Sequence, residues 1–186
     1  MTELEQIEEF KKNNNNNMAK LIAVHGNMPP VCTLLVYVAN EDEYKVIIAP
    51  IPEEALENDK NKKKFLGIMP MFFDKLKEDG NKIICFSYSS EAWIRIINKE
   101  DAQDNDIPDN WKSLPKQEVL ISSYETADGA FVEINNIVRE GKIANEKGEL
   151  IDCIRLEKNE ELSAEGDPNS VGGDFANIFR NYLKIK

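Results

Sequence analysis

Glu91, Trp93 and Arg95 stand at alternate positions of the segment KIICFSYSSEAWIRII, residues 82–97, and this row of an acid, an indole and a guanidinium is the most suggestive spacing in the chain. On an extended strand alternate side chains share a face about 7 Å apart. Such a row suits recognition of a protein partner, because Trp and Arg are enriched among residues that carry binding energy. The competing reading is packing, with Trp93 covered by the N-terminal helix or by residues 98–116 and the two charges at its rim. Other chemically capable residues are scattered. The sole histidine, His25, sits beside Gly26 with no Ser or Cys close to it in sequence, whereas covalent catalysis needs a nucleophile, a base and an orienting group within reach of one another. The chain contains no HExxH, GxSxG, GxGxxG or CxxC, so metal, ester and nucleotide chemistries have no motif behind them. Asp101, Asp104, Asp106 and Asp109 fail the EF-hand pattern because Pro108 follows where the turn glycine belongs. No metal and no cofactor is expected. Cys32, Cys85 and Cys153 lie more than 50 residues apart inside strand-like runs, and they read as reduced, unreactive core thiols.

The elements that must position these residues are an α+β set. Ile84, Phe86, Tyr88, Ala92, Ile94 and Ile96 fall on the even side of the same segment, so the period predicts one long, bent or bulged strand with its even side in the core and its odd side as a mixed surface. Before it, residues 31–39 are apolar on both faces and pair with residues 46–49 as a hairpin. Phe65, Ile68, Met69, Phe72, Phe73 and Leu76 mark one face of a core helix over about 60–79, with Pro70 predicting a kink or a break and Gly80 a left-handed stop. Residues 118–126 and 130–138 form a second hairpin. A three-residue loop ending on Gly129 would pair Tyr124 with Val132 and Ser122 with Ile134. Residues 142–144 and 150–156 form a weaker hairpin, and residues 157–173 a polar loop. Asp174 is the predicted N-cap of a C-terminal helix, 174–185, striped by Phe175, Ile178, Phe179, Tyr182 and Leu183. The expected fold is α+β, a mostly antiparallel sheet of about five to seven strands with the core helix and the C-terminal helix packed on it. Residues 1–26 are expected as an N-terminal helical arm, split into two short helices by Asn13 to Asn17 because asparagine disfavours helix interiors. Residues 27–186 are expected as a single domain.

Composition narrows the function classes. In 186 residues, 23 basic side chains against 34 acidic ones leave a net charge of −11. Direct nucleic-acid binding is therefore not expected, since phosphate neutralisation needs a basic field. No window resembles a membrane span, and the acidic start lacks the apolar core of a signal peptide, so the reading is a cytoplasmic protein in a reducing compartment. The string SEAWIRI, followed by a loop and then EVLISSYETADG (residues 90–129), resembles a pattern of small bacterial and phage proteins of no assigned function. The resemblance implies a phage or bacterial accessory protein and brings no site residue with it. The reading is a non-enzymatic binding or accessory protein acting through a protein interface at Glu91, Trp93 and Arg95, with oligomeric state open. The alternatives are an acidic inhibitor that mimics nucleic acid and a small carboxylate-dependent hydrolase.

Overall fold

The computed structural model describes residues 2–96, 111–166 and 177–185. Its elements run α1 (Glu3–His25), β1 (Val31–Val38), β2 (Glu43–Pro50), α2 (Asp59–Glu78), β3 (Asn81–Ile94), β4 (Gln117–Glu125), β5 (Ala130–Ala144), β6 (Leu150–Lys158), β7 (Ala164–Gly166) and α3 (Ile178–Ile185). The strands form one antiparallel sheet in the order β2-β1-β3-β4-β5-β6, and the short β7 pairs with the start of β5. The fold is α+β, as the residue pattern implies. β1, apolar on both sides, lies inside the sheet with a helix layer over each face. One layer is α2 with α3, whose Met69, Phe73, Phe179 and Tyr182 close over Leu34, Val36 and Phe86. The other is α1, whose Ile7 and Phe10 meet Leu35, Cys85 and Tyr124 while Met18 and Ile22 meet Val31, Leu120 and Ile137.

α2 runs through Pro70 as a single helix. The Asn58 side chain accepts from the Asn61 N–H at its start, and Gly80 at φ 83° follows its end. α1 departs from expectation more sharply. Asn13 to Asn17 do not divide it: the helix is continuous from a capping box, Thr2 with Glu5, to Gly26 at φ 77°. Asn14 is buried there, and its amide donates to Ser89 Oγ at 3.1 Å and Tyr124 Oη at 3.3 Å, with Ser87 Oγ at 3.5 Å. Tyr124 in turn donates to Asn15 Oδ1 at 3.3 Å, and Asn15 Nδ2 reaches Glu133 at 2.9 Å. Partners on the sheet thus offset the helix propensity that asparagine lacks.

The same contacts correct the reading of β3. Phe86 and Tyr88 pack under α2, yet Cys85, Ser87 and Ser89 on the opposite side are also buried, under α1. Pairing with β1 shifts register so that Leu35 faces Cys85 and Val36 faces Ile83, which leaves Ile84 as the extra residue of a bulge. The odd side holds serines because it meets an amide and a phenol, and Ser89 and Ser122 hydrogen-bond across the strands at 2.9 Å.

The β4–β5 hairpin has a different register from the expected one. Tyr124 faces Phe131 and Ser122 faces Glu133. Thr126 explains the shift: its hydroxyl accepts from the Asp128 and Gly129 N–H groups at 3.3 and 3.1 Å, and its own N–H donates to the Gly129 carbonyl at 2.8 Å. A four-residue loop closes this way without a left-handed residue, and one step of register exchanges partners along the ladder. β5 and β6 join through a turn in which Asn145 Oδ1 accepts from Lys147 and Glu149 and Gly148 takes φ 79°. The predicted cap Asp174, the stripe residue Phe175 and the aspartates of the 98–116 connection lie outside the described residues. The first described turn of α3 is instead capped from β4, where the buried Glu125 carboxylate accepts the Ile178, Phe179 and Arg180 N–H groups at 2.9 to 3.0 Å. Burial pushes the Glu125 carboxyl up, and these backbone donors pull against it.

Candidate functional site

β3 passes beneath α1 and emerges past the helix C-terminus, and this geometry sorts the three residues singled out in the sequence. Leu120, which faces Glu91 across the ladder, belongs to the core beneath α1, while Trp93 faces Glu118. Glu91 and Trp93 therefore share the α1 face, one at the helix end and one beyond it. Glu91 is half-buried and accepts the Met28 N–H at 3.1 Å, which fixes the chain leaving α1. Burial first, then the neighbouring Glu118, raises its carboxyl above the ordinary value, against the pull of the Met28 N–H and Arg139. Arg95 lies just past the strand end. Its Nε donates to the Leu114 carbonyl at 3.2 Å and its Nη2 to the Lys112 carbonyl at 3.3 Å, with the guanidinium 5.1 Å from the centre of the Trp111 ring. Trp93 itself is 61% exposed. The row is thus divided: its two charges are tied into the fold and its indole faces solvent.

Beside Trp93 stands a charged cluster whose members come from three strands. Arg139 of β5 donates through Nε to Glu118 at 3.0 Å and through Nη1 to Asp152 of β6 at 2.7 Å. Its Nη2 donates to Glu118 as well, and to the Gly26 carbonyl at 2.9 Å. Glu118 first, then Asp152, holds the guanidinium charged. The cluster ties the C-cap of α1 to three strands, and its Glu118 faces Trp93 across the ladder. Spacing could not reveal it, since Glu118 and Arg139 meet only through the β4–β5 register. In sequence, Arg139 is marked only by its place directly after the strand-like run 130–138.

The other candidates take no part in the hydrogen bonds of this cluster. His25 is exposed in the last turn of α1. Cys32 and Cys85 are buried and their thiols are pushed up to about 12, chiefly by burial. Cys153 departs from the expectation of three core thiols: it lies on β6, the edge strand, and is only half-buried. Among the described residues no three His, Cys, Asp or Glu side chains gather as a metal ion would require, and no helix is long and apolar enough to cross a membrane.

The fold and this end together define an α+β domain with a helix layer on each face of an antiparallel sheet and an exposed tryptophan on a braced strand end. No protein-family model, curated protein or solved structure matches the chain.

Proposed function

We propose that the chain is a non-enzymatic binding or accessory protein that captures a protein partner at the β3 end around Trp93. The observation that carries this reading is an indole 61% exposed on a strand whose preceding residues are almost all covered, while Glu91 and Arg95 on either side have intramolecular partners. A large apolar ring held rigidly in solvent costs little ordering entropy on binding, which is why tryptophan dominates the energetics of protein contacts. Ile96, three residues further on, is exposed as well. The fitting partner presents a pocket for an indole.

An enzymatic reading based on the nearest carboxyl pair fares worse. Glu91 accepts the Met28 N–H and Glu118 is held by Arg139, so both carboxylates are already committed within the fold. Trp93→Ala tests the proposal. The variant should unfold within about 0.5 kcal/mol of the parent, as exposed substitutions do, and lose about 2 kcal/mol or more of affinity for the captured partner. Met71→Ala, at an exposed site on α2, should lose nothing. Equal capture by Trp93→Ala, or a large loss of its stability, would reject the proposal.

A further inference from the structure

A second site lies on the other side of α1, where the helix runs beside β5 and β6. A cleft of about 500 Å³ opens there, and its lining includes Lys12 and Asn16 of α1 with Asn135, Ile154 and Lys158 of the sheet. An adjoining groove of about 500 Å³ shares Asn16, Ala19 and Ile154 with it and continues along Ala23, Ile143, Ile151 and Cys153. Each volume lies in the range of small-molecule sites, about 300 to 1,000 Å³.

The two halves differ in chemistry. In the first, Asn135 is only 4% exposed, and its amide Nδ2 is buried with no hydrogen-bond partner among the described residues. Buried donors are almost always satisfied, so an orphaned amide lining a cleft marks a place for an acceptor. The cations around it are unequal. Lys11 is held by Glu8 and Glu133, Arg155 by Glu140 and Glu157, and Lys158 by Glu160. Lys12 is exposed and has no ion pair among the described residues. In this half one uncommitted positive charge and one orphaned donor suit a head with a single negative charge and acceptor oxygens, and Lys20, exposed in the adjoining groove, adds to the positive field. In the second half, Ala23, Val24, Ile143, Ile151 and Cys153 make most of the lining beside Lys20 and Asp152, the latter held by Arg139, and Val24 and Ile143 are exposed despite being apolar. That surface suits a hydrocarbon body.

We infer that the α1–β6 groove binds an amphipathic monocarboxylate, with its oxygens at Asn135 and Lys12 and its hydrocarbon chain along Ala19, Ile154 and Ile151 toward Cys153. Trp93 does not line this groove, which meets the Trp93 end only at Asp152, and Trp93→Ala should leave binding here unchanged.

The half-buried Cys153 supplies the readout. The full-length protein is treated with N-ethylmaleimide, and modification of Cys153 is followed by mass spectrometry with the buried Cys32 and Cys85 as slow references. Decanoate at millimolar concentration, below micelle formation, should slow Cys153 labelling at least fivefold. Acetate, which fills the head but not the tail, and decyltrimethylammonium, which carries the tail with the opposite charge, should not. Asn135→Leu keeps the volume and removes the orphaned amide, so its thermal midpoint without ligand should hold or rise by a few degrees. The decanoate concentration it needs for protection should rise about tenfold. Lys12→Gln, at an exposed position, gives a second variant and should raise that concentration severalfold. The inference is overturned if decanoate leaves labelling unchanged, if the cationic amphiphile protects equally well, or if both variants are protected at parental concentrations.

Discussion

Replacing Asn14 by alanine and replacing Asn13 by alanine make the same chemical change one residue apart, and the structure requires opposite outcomes. Asn13 is exposed on α1, so Asn13→Ala gains helix propensity alone, about 0.5 kcal/mol of stability. Asn14→Ala gains the same propensity but loses the amide beneath the helix. An NH₂ group carries two protons, and its two shorter contacts, Ser89 at 3.1 Å and Tyr124 at 3.3 Å, are the ones to count. At about 1 kcal/mol for each net hydrogen bond the loss is about 2 kcal/mol. Ser89 retains Ser122 and Tyr124 retains Asn15, while the truncation orphans the buried Ser87 hydroxyl and removes the Asn14 Oδ1 that has no partner among the described residues, two effects of opposite sign and similar size. The balance is a net destabilisation of about 1.5 kcal/mol, and the two variants should differ by about 2 kcal/mol. With a urea dependence of about 2 kcal/mol per molar, their unfolding midpoints should lie about 1 M apart on opposite sides of the parent. If Asn14→Ala proves neutral or stabilising, α1 is not docked through this amide, and the account of the serines on β3 fails with it.

Two further outcomes follow from the packing and the charges. Phe179 is 2% exposed and stands edge-on to Phe73 at 5.5 Å, so Phe179→Ala should cost about 3 to 4 kcal/mol in urea unfolding; an unchanged midpoint would mean that α3 does not hold the sheet. Glu91, whose folded-state pKa is raised above the ordinary 4.5 chiefly by burial, binds its proton more tightly folded than unfolded. Its contribution to stability is therefore greatest below the unfolded value and declines as pH rises through the folded one. Glu91→Gln removes that titration, so its stability relative to the parent should be higher at pH 7 than at pH 4, and an equal difference at both would contradict the assigned environment.

Apolar periodicity made β1, α2 and the hairpins legible because each of these elements shows its core face in its own residues. β3 was misjudged on one side for a physical reason: Ser87 and Ser89 are polar whether they face water or a buried amide, and the amide that covers them lies on α1, 73 and 75 residues away in the chain. The asparagine run failed as a helix breaker through the same contact, since propensity describes an isolated helix and Asn14 is not on one. The Thr126 hydroxyl decides the form of the β4–β5 loop, which Gly129 alone does not specify. Glu125 likewise carried no local sign that it would cap a helix 53 residues downstream. The alternation of Glu91, Trp93 and Arg95 did place the acid and the indole on one face, but alternation is blind to partners. It could not distinguish an acid bound to the Met28 N–H, an arginine bound to two carbonyls and a tryptophan with no polar partner among the described residues. That distinction bears on function, because a side chain already engaged within the fold must give up its bonds before it can bind anything else, and an exposed ring on a rigid strand end gives up only water.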